Sequence, residues 1–208
     1  GAKPLPPVSL MPSVAVTGSI GSGKSVVCGL LALRVPCTTF SADMENNRLL
    51  ASDPSVRTEI LCLLGDEAYD DDGSPDREWI RERITSDITL KEGLESILHP
   101  RIRKGWENQA SACRGPEAPL FLAEMPLLFE NGLRNHFDFA VVVGCSESVR
   151  RERLASHRGM NGTTASRWLC LQMPQVEKCL LADHLIWNDG SLACLESQTD
   201  LLSSLILS

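Results

Sequence analysis

The sequence predicts an α/β protein built on a central parallel sheet with helices on both faces. Three observations predict it. The runs Val14-Ala15-Val16-Thr17, Leu120-Phe121-Leu122-Ala123 and Phe139-Ala140-Val141-Val142-Val143 are almost solidly apolar. Strands covered on both faces read this way, whereas half-exposed strands alternate. Helical spacing, not a tight hairpin turn, separates one run from the next. Finally, the helical stretch 44–112 between the second and third strands exceeds an ordinary crossover, so it predicts a projecting subdomain.

The elements follow in order. Residues 1–13 are Pro-rich and predict a flexible tail ahead of a single domain, 14–208. The first strand, 14–17, runs into a glycine loop. A helix is predicted over 26–34, ended by Val35-Pro36. Residues 37–40 form a second short strand that delivers Ser41-Ala42-Asp43 at its C-terminal end. Asp53-Pro54 reads as an N-cap with proline in the first helical position, ahead of a face made by Val56, Ile60, Leu61 and Leu64. Asp72-Gly73-Ser74-Pro75 is a turn, and the helix from Asp76 buries Trp79, Ile80 and Ile84. Thr89-x-x-Glu92 has the capping-box pattern ahead of Leu94, Ile97 and Leu98. Pro100 interrupts, and Ile102 and Trp106 resume the spacing. Arg114-Gly115-Pro116 is a loop before the strand at 120–123. Helices are predicted at 148–156 and 164–182, a short strand at 184–187, and a last amphipathic helix marked by Leu192, Leu195, Leu202 and Leu205.

Composition bounds the partners. The chain has 208 residues and a net charge of −7. That disfavours a general nucleic-acid binder, which is usually basic. The charge is uneven, however: 150–167 holds five arginines (Arg150, Arg151, Arg153, Arg158, Arg167) against the single acid Glu152. Such a patch suits a small polyanion. The eight cysteines include no Cys-x-x-Cys pair and mostly sit among apolar residues, as small buried hydrophobes do. Reduced thiols in the cytoplasm are expected. No signal peptide or membrane span is read in the sequence, and a monomer or weak homo-oligomer is expected.

The octet Gly18-Ser19-Ile20-Gly21-Ser22-Gly23-Lys24-Ser25 carries the chemistry. Its glycines let backbone N–H groups approach phosphate oxygens, and the following helix directs its positive end at the same place. Lys24 can reach the β- and γ-phosphates of a nucleoside triphosphate, and the Ser25 hydroxyl can ligand Mg²⁺. At ordinary glycine content the four fixed positions match by chance in roughly one chain in a hundred. The strand before the octet and the helix after it supply the context of a phosphate-binding loop, and hence of a P-loop NTPase core in three layers.

A nucleotide-driven switch and a small-molecule kinase both use such a loop. A guanine-reading switch needs Asn-Lys-x-Asp after a late strand; here Trp187-Asn188-Asp189-Gly190 lacks the lysine. A kinase needs a base by the acceptor hydroxyl, cations over the transferring group and a lid that excludes water. Asp43, at the end of the second strand, is placed for the first role; a helix N-cap is its bland alternative. The arginines flanking Gly159-Met160-Asn161-Gly162 predict a lid at about 153–168, although Arg150 or Arg151 could simply face solvent.

These residues resemble the dephospho-coenzyme A kinase family. The likeness rests on Thr17-Gly18-x-Ile20-Gly21-Ser22-Gly23-Lys24-Ser25, Asp43, Asp72-Gly73-Ser74-x-Asp76-Arg77, Leu98-His99-Pro100, Pro126-Leu127-Leu128-Phe129-Glu130, Gln172, Ala182-Asp183 and Asn188-x-Gly190. The resemblance implies transfer of the ATP γ-phosphate to the 3′-hydroxyl of dephospho-coenzyme A with Mg²⁺. It implies a core at about 14–43 and 114–208, and a helical coenzyme-binding insertion at about 44–113. Asp43, Lys24 and Arg153 become catalytic candidates. Gly18, Ile20, Gly21, Ser22, Gly23, Lys24, Ser25, Val26, Arg167 and Asn188 become nucleotide-binding candidates. Asp43, His99, Pro100, Arg77, Pro126 and Leu127 become acceptor-site candidates, and Ser25 and Glu124 metal-site candidates. For Glu124 the alternative is a strand-end carboxylate on a backbone amide; for His99-Pro100 it is a helix end with a satisfied histidine. Three positions depart from the family pattern: Ser41 replaces an aspartate, Asn47 stands at an arginine position with Arg48 beside it, and His157 replaces a lid arginine with Arg158 next to it.

Overall fold

The computed structural model describes residues 13–113, 115, 118–158 and 172–207; of residues 157 and 158 only the backbone is described. In chain order the elements are β1 (Ser13–Thr17), α1 (Lys24–Ala32), β2 (Cys37–Ser41), α2 (Ala42–Ser52), α3 (Pro54–Leu64), α4 (Arg77–Ser86), α5 (Ile88–Ala112), β3 (Leu120–Glu124), β4 (Phe139–Gly144), α6 (Glu147–Arg158), α7 (Gln175–Leu180), β5 (His184–Trp187) and α8 (Leu192–Ile206). Single 3₁₀ turns occupy Asp66–Ala68 and Arg134–His136.

All strand pairs are parallel, in the order β2-β3-β1-β4-β5. β1 is therefore central. The chain leaves it towards β2 on one side and returns on the other as β4, so the C-terminal end of β1 is the switch point where such sheets bind ligands. Helices flank the sheet, and the fold is that of a P-loop NTPase. The strands bury Val14, Val16, Leu120, Leu122, Val141, Val143 and Ile186 in one cluster. Val27 and Leu31 of α1, Val35 just after that helix, and Leu195, Leu202 and Ile206 of α8 complete it. On α8 the buried positions are Leu195, Thr199, Leu202, Ser203 and Ile206, a helical stripe. Leu192 and Leu205, expected on that stripe, are exposed instead.

The chain divides into two compact units, Gly1–Ser41 with Gln109–Ser208, and Ala42–Asn108. The second unit has its own core. Leu49 and Leu50 of α2, Val56 and Ile60 of α3, Ile80 of α4 and Leu94, Ile97 and Leu98 of α5 meet there, with Tyr69. Asp53 caps α3 by accepting from the Ser55 and Val56 N–H groups, with Pro54 first in the helix. Asp76 caps α4 through the Trp79 N–H.

Several local expectations give way to competing physics. α5 starts at Ile88, and Asp87, not Thr89, supplies its cap by accepting from the Thr89 and Leu90 N–H groups at 2.8 and 3.3 Å. Pro100 does not interrupt α5, which continues through it for 25 residues. Pro100 faces solvent while Leu94, Ile97, Leu98 and Trp106 hold the opposite side in buried packing, which outweighs one missing hydrogen bond. Of the helix expected over 164–182, the described part is helical only at Gln175–Leu180; 164–171 lies outside the described residues. Pro174, at φ −51° and ψ 137°, precedes α7, which spans only Gln175–Leu180. The residue before a proline is pushed out of the helical region. α1 begins at Lys24, two residues before the expected start, because glycine ends the turn at Gly23. Of the predicted lid, 153–158 is the end of α6; 159–168 lies outside the described residues.

Candidate active site

The octet forms the turn between β1 and α1. Two of its glycines are required sterically. Gly18, at φ +147°, lies so close to β4 that an added Cβ would overlap the Val143 carbonyl oxygen and stand 2.8 Å from Ser22 Oγ. Gly23, at φ +97°, is the N-cap of α1, and a Cβ there would overlap Asn188 Nδ2. Lys24 is buried, and its Nζ donates to the carbonyls of Gly18 and Ser19 at 3.1 and 3.2 Å. The ammonium thus lies across the loop. The leading N–H groups of α1 have no intrahelical acceptor and give the loop a positive end. Ser22 Oγ is buried without a hydrogen-bond partner. A buried orphan hydroxyl inside a concave, positively biased loop fits a phosphate oxygen.

The flanks of the loop are tied down from α6, β5 and α7. Arg153 Nη2 donates to the Asn188 carbonyl at 2.9 Å, and its Nη1 reaches the Ser22 carbonyl at 3.5 Å. Asn188 Nδ2 donates to the same Ser22 carbonyl at 2.8 Å. Arg153 and Asn188 therefore grip the loop as a pair. Ile20 N donates to Gln172 Oε1 at 3.0 Å. Arg151 pairs with Glu147 in the exposed part of α6, the solvated role foreseen for one of this pair. Arg150 is half-buried and packs beside Gly21. Beyond Asn188, Asp189 accepts from Ser146 N at 2.6 Å and from Trp187 Nε1 at 3.0 Å. The Ser146 N–H leads in holding the carboxyl below the ordinary carboxylate range.

Ser25 and Glu124 meet: Ser25 Oγ donates to Glu124 Oε1 at 2.8 Å. Glu124 ends β3, is buried, and lies in register with Val16 and Ser41. Its recorded partner is the hydroxyl of the phosphate loop, not a backbone amide. Cys28, one turn further along α1, has its thiol pushed well up, first by burial and then by the Glu124 charge. Burial leads in disfavouring the thiolate there, while Glu124 and Lys24 act on it in opposite directions. Among the described residues no group of three or more histidines, cysteines or carboxylates could form a metal cage.

The remaining sequence-predicted residues are distributed as follows. Val26 lies in the first turn of α1 and is exposed. Pro126 and Leu127 follow β3, and the Pro126 carbonyl accepts from Thr17 Oγ1 at 3.3 Å and Lys178 Nζ at 3.0 Å. In the second unit Asp43 is the second residue of α2 and exposed, inside the helix rather than at its N-cap. Arg77 opens α4, and His99 and Pro100 are interior residues of α5, so the pair does not end a helix. Arg48, beside Asn47, is bound to Glu45 through two contacts of 2.8 Å. Arg167 lies outside the described residues, and of His157 only its helical backbone is described.

Sequence reasoning missed Lys178, Gln175 and the task of Gln172. Lys178 is fully buried and pairs with Glu130 at 2.8 Å. Gln175 brackets Cys145, accepting from its N–H at 3.3 Å and donating to its carbonyl at 2.8 Å. A lysine among the apolar residues of a short helix was the available signal for the first. Nothing local signals the second.

The family model for dephospho-CoA kinase matches residues 12–193. The dephospho-CoA kinase of Chlorobaculum tepidum is 33% identical over 191 residues, covering 90% of this chain and 91% of that protein. Among solved structures, TT1252 from Thermus thermophilus superposes with a TM-score of 0.75 at 29% identity, covering 94% of this chain and 98% of the other. The dephospho-CoA kinase of Campylobacter jejuni shares the fold with a TM-score of 0.68 at 22% identity, covering 93% and 96%.

Proposed function

The chain belongs to the dephospho-CoA kinase family, which transfers the ATP γ-phosphoryl group to the 3′-hydroxyl of dephospho-coenzyme A, and on that premise we propose how its residues divide the work. The observation that supports the division most is the loop itself. Lys24 spans two of its carbonyls and Ser25 engages Glu124 at the end of the neighbouring strand.

In this reading Gly18, Ile20, Gly21, Ser22, Gly23, Lys24, Ser25 and Val26 hold the triphosphate, and Lys24 offsets its charge. Preorganised cations of this kind act where charge develops during transfer. Arg153 and Asn188 shape the nucleotide side; Arg167, the other nucleotide-binding candidate, lies outside the described residues. Asp43 accepts the proton of the 3′-hydroxyl, or orients it, while the hydroxyl oxygen bonds to the γ-phosphorus and the bond to the bridging oxygen breaks, releasing ADP. Arg77, His99, Pro100, Pro126 and Leu127 receive the acceptor.

Ser25 and Glu124 fit a Mg²⁺ ion. They are oxygen donors side by side, and Mg²⁺ binds through one or two protein oxygens, completing its shell with phosphates and water. Bound there, it would neutralise charge on the phosphates. To hold it, Ser25 and Glu124 would give up their mutual hydrogen bond.

Among the described residues no helix is long and apolar enough to cross a membrane. A cytoplasmic protein that is a monomer or weak homo-oligomer completes the reading. The test is a coupled ADP-release assay with and without dephospho-coenzyme A, on wild type and Asp43→Asn. Acceptor-dependent release that falls about a hundredfold in the variant, with ATP affinity unchanged, is expected for the loss of a general base. Near-normal turnover in Asp43→Asn would remove Asp43 from the mechanism.

A further inference from the structure

Lys178 poses an energetic question. Its ammonium is completely buried, yet α7 is a short helix at the sheet's flank. Burying an ion pair seldom stabilises more than apolar residues of the same size would. The contacts of Lys178 say what it does instead. Its Nζ donates to Glu130 Oε1 at 2.8 Å and to the Pro126 carbonyl at 3.0 Å. The same Glu130 oxygen accepts from Met173 N at 3.0 Å. One carboxylate oxygen thus joins the helix to the segment that leads into it. Gln175 fixes that segment a second time, on both backbone groups of Cys145.

The segment begins at Gln172, whose Oε1 accepts from Ile20 N. That N–H belongs to the Ser19–Ile20 peptide. The carbonyl of the same peptide, Ser19 O, accepts from Lys24 Nζ at 3.2 Å. A peptide unit is planar, so fixing its N–H fixes its C=O. A continuous path therefore runs from Lys178 through Glu130 and the 172–175 segment to the Ser19–Ile20 peptide and on to the ammonium of Lys24.

We propose that Gln172, supported by the buried Lys178–Glu130 pair, is a positioning residue for Lys24, setting the phosphate-loop peptide that aims the ammonium. None of the three touches substrate in this role. The path acts on kcat through geometry, and displacements of the order of 1 Å at a reacting group cost up to about a hundredfold.

Gln172→Ala removes the last link without exposing a buried charge. It is expected to lower kcat about tenfold with an unchanged melting temperature. In a Lys24→Ala background the same substitution is expected to have no further effect, because residues that act through one another are not additive. The double variant Lys178→Met with Glu130→Met exchanges the ion pair for apolar volume. It is expected to melt near wild type yet turn over about as slowly as Gln172→Ala. Wild-type kcat in Gln172→Ala, or equal losses with and without Lys24, would overturn the proposal. So would wild-type kcat in the double variant. If the double variant does not fold, the two Gln172→Ala measurements decide alone.

Discussion

Gly18 and Gly29 show how differently two glycines of adjoining elements are constrained. At Gly18 the backbone is in the region glycine favours and a Cβ would overlap the main chain of β4. Gly29 is an interior residue of α1 with no atom within 4 Å of an added Cβ. Gly29→Ala is expected to stabilise by about 0.5–1 kcal/mol, the entropy an interior helical glycine costs. Gly18→Ala is expected to lose ATP binding and to lower the melting temperature. Thermal unfolding with and without ATP separates the two. A second prediction at this scale concerns acid. The folded Asp189 carboxyl is held below its ordinary value by the Ser146 and Trp187 donors. A depressed carboxyl contributes stability above the unfolded value of about 3.9, and the contribution is lost as pH falls through the folded value. Wild type should therefore melt above Asp189→Asn at pH 7, and the difference should close at pH values below the ordinary carboxylate range. The residues proposed to hold phosphate were legible because they are contiguous in the sequence and a phosphate ligand would dictate their types. The grip on them was not. Ile20 and Gln172 lie 152 residues apart, and no local pattern in a sequence pairs such positions.

At the scale of elements, α5 carries the clearest conflict between local rule and packing. Pro100 removes a hydrogen bond from the interior of a 25-residue helix that nevertheless continues. Pro100→Ala should restore the bond and raise stability, by up to about 3 kcal/mol. Because Pro100 is also an acceptor-site candidate, the same variant should raise KM for dephospho-coenzyme A while leaving KM for ATP unchanged. Denaturant titration and steady-state kinetics read the two effects separately. The strands β1, β3 and β4 were legible because they are solid apolar runs, as strands covered on both faces are. Helix ends were less so. Thr89 carries the capping-box pattern, yet Asp87 caps the helix, because its carboxylate reaches two N–H groups at once.

Over the whole molecule the cysteines sort by environment. Burial pushes the thiols of Cys28, Cys37, Cys145 and Cys179 upwards, so they carry little thiolate at neutral pH. Cys62 and Cys194 are exposed. Brief iodoacetamide treatment at pH 7.5 followed by peptide mass spectrometry should therefore label Cys62 and Cys194 ahead of those four. Extensive labelling of Cys28 in folded protein would contradict the raised thiol.

The sheet order also dictates a sequence of events in time. β1 and β2 are consecutive in the chain but never pair; β3 lies between them. β3 begins at Leu120, after the whole of Ala42–Asn108 has been made. During synthesis the helical unit, whose neighbours are mostly local in sequence, is free to form early. The first two strands meanwhile wait with apolar faces and unpaired edges for a partner not yet translated. A nascent chain stalled before residue 120 therefore presents a helical unit joined to strands prone to foreign pairing. Lengthening the excursion would scarcely change the equilibrium, since doubling a flexible loop costs only about 0.6 kcal/mol. What the order governs is the interval during which β1, and the phosphate loop it carries, have no sheet to belong to.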